Sequence, residues 1–153
     1  MERSIRILLM LSRVFKWSVL ALSLCVLVGW YYDIDLLKRL LIGSIFMNPI
    51  TATLFLLISL SAIIELVTLN KLAFLIFNGF VIVVCSCKLV DYFIGLPFKI
   101  DHLIFGDFFN GNDKVYSMAP TTAILFILLS LAQVVSHFKK YFIYDFLMVA
   151  IFL

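Results

Sequence analysis

Between Leu40 and Ile64 the chain runs for 25 residues without one charged side chain. A helix needs about 20 apolar residues to cross a hydrocarbon core, and backbone in lipid finds no water to bond, so a run of this length is read as a membrane-crossing helix. Val115 to Ser136 is a second uncharged run. The whole chain follows suit: 65% of its residues are hydrophobic and 14% charged, against roughly 45–50% and 25% in soluble domains. With a mean hydropathy of +1.18, it reads as a membrane protein. The net charge of +3 comes from 12 basic and 9 acidic residues held in short segments. That pattern reports topology and excludes a nucleic-acid footprint.

Two further spans need charged residues to reach full length. Trp17 to Tyr32 crosses if Lys16 snorkels to one interface and Asp33 marks the other; Leu72 to Leu96 must carry Lys88 and Asp91. The expected spans are therefore 15–33, 49–69, 72–95 and 119–137. A fifth run, Tyr141 to Leu153, has thirteen residues and is too short to cross. The fold expected is an all-α integral membrane protein of four transmembrane helices plus a partial fifth. Its organisation is a basic cytoplasmic N-terminus (1–14), a first hairpin (15–71), a second hairpin (72–138) and an incomplete hydrophobic segment (139–153).

Arg3, Arg6, Arg13 and Lys16 precede the first span, which exits through "GWYYDID" with no small-residue cleavage site, so it reads as an uncleaved signal anchor. With the N-terminus inside, those four residues join Lys71, Lys139 and Lys140 on the cytoplasmic side, against Lys38, Arg39, Lys99 and Lys114 outside. Seven against four favours that orientation. Trp30, Tyr31, Tyr32, Phe98 and Tyr116 then form an outer aromatic belt, and Phe15, Trp17, Tyr141 and Phe142 an inner one.

The chain also repeats itself. "MNPITATLFLLISLS" begins at Met47, and "MAPTTAILFILLSLA" begins 71 positions later at Met118, with nine of fifteen letters identical. Both copies open spans running from outside to inside, so the repeat is parallel and its unit is a helical hairpin. Pro49 and Pro120 suit a first helical turn, where a missing N–H is harmless. Asn48 is a good N-cap, whereas Ala119 cannot cap. Thr51 and Thr122 are expected to bond backbone groups in those turns. One reading is a well-built span entrance duplicated with its hairpin. The other is that the two entrances frame an outward-facing site.

Upstream of the second copy stands "IDHLIF", residues 100 to 105, and the first copy matches it more loosely through Gly29 and Ile34-Asp35. This Ile-Asp-x-Leu loop followed by Met-x-Pro-x-Thr-Ala resembles the multi-span N-terminal membrane input region of bacterial sensor histidine kinases and related PAS- or GGDEF-bearing signalling proteins. Those regions commonly carry Pro-Asn-Thr-Ala, where this chain has Pro49-Ile50-Thr51-Ala52 and Pro120-Thr121-Thr122-Ala123. The resemblance covers about residues 29 to 137. It implies residence in the bacterial inner membrane and a sensory input region whose cytoplasmic kinase or cyclase module lies elsewhere. The sequence contains no phospho-acceptor region and no ATP-binding Gly-rich segment.

The candidate sensing and coupling residues are thus Asp101, His102, Pro120, Thr122, Pro49 and Thr51, with Lys88 and Asp91, which stand three apart on one helix and can pair near the outer interface. Asp101, His102, Asp107 and Asp113 share one outer loop, but their spacing matches no calcium loop, so no metal site is expected; His102 can still titrate. Cys85-x-Cys87 has the wrong spacing for redox or zinc motifs, and Cys25 stands apart; all three read as packing residues. His137 beside Lys139 and Lys140 reads as an inner cation cluster, and Glu65 as facing water or Lys71. "LLKRLLIGSIF", residues 36 to 46, either lies flat on the outer leaflet or lengthens the second span. No nucleophile–base pair stands out, so neither enzyme nor cofactor is expected. Two functions remain: the sensory input region, and a structural or accessory subunit acting by helix packing. The partners expected are the lipid bilayer, a second copy and a cytoplasmic signalling module.

Overall fold

The computed structural model describes residues 2–39, 46–67, 71–94 and 118–138, and all of its secondary structure is helical. Among the described residues five helices follow in chain order: α1 (Glu2–Tyr31), α2 (Asp35–Arg39), α3 (Pro49–Val67), α4 (Lys71–Ile94) and α5 (Pro120–His137). Three stretches are long and apolar enough to cross a membrane: Met10–Tyr31, Lys71–Ile94 and Pro120–His137. By length and composition they point to an integral membrane protein. Pro49–Glu65, expected as a fourth span, is apolar but shorter. The first helix extends N-terminal of the expected 15–33 span, from Glu2, with its candidate span at Met10–Tyr31, because nothing in its first turns is a Gly or Pro that would stop a helix. The fifth hydrophobic segment lies outside the described residues.

Proline and polar side chains set where the helices begin. At α3, Asn48 Oδ1 accepts from the Ile50 N–H at 2.7 Å, and the Asn48 carbonyl takes the first helical bond, from the Ala52 N–H at 3.1 Å. Pro49 occupies N1 and is fully buried. At α5, Pro120 stands in the same place behind an extended Ala119 that offers no side-chain cap. Among the described residues Thr51 and Thr122 make none of the expected bonds to their turns. Instead Thr53 Oγ1 donates to the Pro49 carbonyl at 2.9 Å. A hydroxyl on a helix reaches the carbonyl four residues back, which from Thr53 is the first carbonyl of α3.

Helices α3 and α5 run the same way, side by side. Phe55 packs edge-on against Phe126 at 4.7 Å and 69°, and the polar pairs below it keep almost the same spacing. Helix α4 lies against both, antiparallel, and fills the core with Val81 and Cys85 against Ile50, Leu54, Ile58, Met118, Ala123 and Phe126. Cys85 is thus a packing residue, whereas Cys25 and Cys87 face outward. Helix α1 packs along α3 through Val26 and Trp30 against Ala52.

The end of α1 is tied down by a compact cap. The Ile34 N–H bonds the Gly29 carbonyl at 2.8 Å, and Asp33 takes a left-handed φ of 58°, as in a Schellman helix stop. Asp is among the residues that tolerate that conformation. The stretch 36–46 left undecided by the sequence begins as a separate helix, α2, over Asp35–Arg39, and the Met47 N–H returns to the Lys38 carbonyl at 3.0 Å. Lys38 is buried. Its ammonium pairs with Asp33 and lies 4.9 Å from the Trp30 ring, while Trp30 Nε1 donates to the Met47 carbonyl at 2.9 Å. Trp30 is therefore a bonded core residue as well as an aromatic at a helix end. Because Asp33 and Asp35 are largely exposed, the cation–π contact and the desolvated stem hold Lys38 more than the ion pairs do.

Gly29 makes this cap geometrically feasible. A Cβ there would stand 2.6 Å from Leu37 Cβ and 3.0 Å from the backbone of Leu37 and Lys38. At Gly79, by contrast, a Cβ would meet nothing within 4 Å. Gly29→Ala should lower stability by about 1–3 kcal/mol through overpacking, while Gly79→Ala should be neutral or gain up to about 1 kcal/mol of helix propensity. Unfolding titrations of both variants in detergent micelles check this pair.

Candidate polar seam between three helices

A helix built almost wholly of Leu, Ile, Val and Phe places its few polar side chains where another helix can meet them, because lipid supplies no hydrogen-bond partner. Ser61 and Glu65 lie four apart on α3, and Gln133 and His137 four apart on α5, so each pair lines one helix face. The parallel packing brings these faces together. Ser61 Oγ donates to Gln133 Oε1 at a long 3.5 Å, and Glu65 Oε1 is 2.9 Å from His137 Nδ1. Helix α4 completes the set: Asn78 Nδ2 donates to Ser61 Oγ at 2.6 Å and to the Phe74 carbonyl at 2.9 Å. The His137 ring stacks on Phe74, 4.8 Å between centroids and 28° between planes.

Ser61, Asn78 and Ser130 are fully buried. Asn78 Oδ1 and Ser130 Oγ have no hydrogen-bond partner among the described residues. This layer corrects one expectation. Glu65, its side chain 30% exposed, turns to His137 and not to Lys71. His137 also stacks on α4, and Lys139 and Lys140 of the expected inner cluster lie outside the described residues. Glu65 and His137 are 72 positions apart in sequence, and only the register of α3 against α5 brings them within reach. The partner of Asn78 likewise sits on another helix. An Asn in the middle of an apolar run was the available signal, since such a residue is retained only where something meets its amide.

Of the sequence-predicted site residues, Lys88 and Asp91 do pair, Nζ to Oδ2 at 3.6 Å, with side chains 9% and 13% exposed. They form a largely buried ion pair near the end of α4, the pairing that their spacing suggests. Pro49 and Pro120 open parallel helices, but Thr51 and Thr122 add no bond to a shared site. Asp101, His102, Asp107 and Asp113 lie outside the described residues. Among the described residues no three His, Cys, Asp or Glu side chains form a metal-ligand set.

Comparison of the chain with protein-family models, with curated proteins and with solved structures returns no match. The seam is therefore read on its own geometry.

Each interhelical hydrogen bond of this kind contributes about 0.6 kcal/mol on average, with a maximum near 1.7. The 2.6 Å bond from Asn78 to Ser61 should lie at the upper end. A double-mutant cycle of Asn78→Ala and Ser61→Ala, followed by unfolding in micelles, should give a coupling of about 1–1.7 kcal/mol. The same cycle with exposed Val83→Ala in place of Ser61→Ala should give a coupling near zero.

Proposed function

We propose that this chain is the membrane-embedded input region of a bacterial signal-transduction protein. It crosses the inner membrane four times, counting Pro49–Val67 as the second span, with its N-terminus in the cytoplasm. Its spans form two parallel hairpin repeats related by an axis along the membrane normal. In this reading α3 and α5 both start at Pro entrances on the outer side and both end at the inner Glu65–His137 contact.

One observation supports the reading most: Phe55 and Phe126, equivalent residues 71 apart in the repeated phrase, touch each other at 4.7 Å. Equivalent residues of two parallel units meet only near the axis relating them. Below that contact the seam carries Ser61–Gln133 and Glu65–His137 at almost constant spacing. A shift of α5 against α3 that begins at the entrances must therefore change the Glu65–His137 contact at the other end. This is how an outer event reaches the cytoplasmic side without any chemistry in the bundle. Tight packing favours discrete alternative registers over gradual deformation. Packed cores behave as switches.

The test joins residues 1–153 to a kinase core whose output can be read. Glu65→Gln, His137→Gln, Pro120→Ala and Thr122→Ala would be compared with exposed Leu125→Ala at equal membrane abundance. A coupling of about 1–3 kcal/mol changes output roughly 5- to 150-fold. Glu65→Gln and His137→Gln should shift basal output within that range, and Pro120→Ala should shift it more than Pro49→Ala. If every variant signals like the parent, the sensory reading fails, and an accessory subunit acting by helix packing replaces it.

A further inference from the structure

The seam between α3 and α5 has two sides. Helix α4 covers one of them. On the other side α1 packs along α3 but leaves a cleft of about 370 Å³ between itself and α5, with α3 as its floor. Its deeper wall is apolar, with Phe55, Ile58 and Leu129. Its mouth is polar, with Ser12 and Lys16 of α1, Glu65 of α3 and Ser136 of α5. From Ser12 to Val19, both lining residues, the helical rise carries the cleft about 10 Å from the mouth into the apolar zone.

Lys16 and Glu65 both line the cleft but do not pair with each other. Among the described residues no carboxylate lies within ion-pair distance of Lys16. The one carboxylate lining the cleft, Glu65, is held by His137 Nδ1 at 2.9 Å. An ammonium with no described carboxylate partner therefore lines the same apolar slot as the Ser12 and Ser136 hydroxyls. A soluble anion would gain nothing from Ile58 and Leu129, and a neutral lipid nothing from Lys16. Both parts are met by one molecule with a phosphate head of net negative charge and an acyl chain. Exposed Arg13, next to Ser12 in sequence, favours such a head further, as basic segments at a membrane surface do.

We propose that this cleft binds one anionic phospholipid. Its phosphate sits at Lys16 Nζ between the Ser12 and Ser136 hydroxyls, and one acyl chain runs along Phe55, Ile58 and Leu129. The bound lipid closes the open side of the α3–α5 seam as α4 closes the other. This inference rests on the membrane placement proposed above, not on signalling: if the kinase fusion fails while lipid retention holds, only the functional reading falls.

The full chain, purified in a non-ionic detergent, would be offered equal amounts of phosphatidylglycerol and phosphatidylcholine and weighed intact by native mass spectrometry. One phosphatidylglycerol per chain should be retained in preference. Lys16→Ala should cut that retention about fivefold, the worth of one basic residue at such a surface. Lys16→Arg should keep it, and so should Lys71→Ala, whose cation does not line the cleft. Leu129→Trp, which fills the slot and leaves Lys16 in place, should also abolish retention, with circular dichroism confirming that each variant is helical. Four results would overturn the proposal: equal retention of phosphatidylcholine, retention unchanged by both Lys16→Ala and Leu129→Trp, displacement of the lipid by glycerol phosphate alone, or a dimer whose second copy fills the cleft.

Discussion

An amide or carboxylate buried in hydrocarbon without a partner costs several kcal/mol, and that penalty organises this bundle. Asn78 has no neighbour on its own helix except the Phe74 carbonyl, so its amide reaches across to Ser61. Glu65, half-buried at the end of the same seam, is met by the imidazole of His137. Apolar side chains pack in many registers at similar energy, because lipid tails compete with them on equal terms. A polar pair has one register. The seam thus fixes how far α5 stands along α3 and where α4 lies across both.

The cap on α1 obeys the same constraint at the other end. There the chain must turn, and the turn leaves backbone groups that helices no longer satisfy. Gly29 lets α2 approach closely enough for the Met47 N–H to find the Lys38 carbonyl and for Trp30 to find the Met47 carbonyl. Buried Lys38 then lies over the aromatic rings of Trp30 and Phe46. This knot holds α1 against the entrance of α3 but leaves its N-terminal half free of α5, and the cleft opens there.

What the sequence reveals and conceals divides along this line. Local chemistry is legible: Asn48 caps, Pro49 and Pro120 open helices, and Lys88 pairs with Asp91 three residues on. Helix existence is legible too, since uncharged runs have one good conformation in lipid. The seam is not, because Ser61, Glu65, Asn78, Gln133 and His137 find partners only through tertiary register. Thr51 shows the limit even of a local argument. The hydroxyl that bonds the first carbonyl of α3 is that of Thr53, and two residues' difference is beyond what propensity resolves.

The central claim is that α3 and α5 run parallel, paired at a spacing of 71–72 residues. Disulfide trapping in native membranes tests it most directly. With Cys25, Cys85 and Cys87 replaced, paired cysteines would be placed at Phe55 and Phe126 and, separately, at Glu65 and His137. A copper–phenanthroline oxidant should link both matched pairs within the chain. The crossed pairs, Phe55 with His137 and Glu65 with Phe126, should not link, because ten or eleven residues of helix separate their levels by about 15 Å. Linking of the crossed pairs in place of the matched ones would contradict the parallel seam and the account built on it.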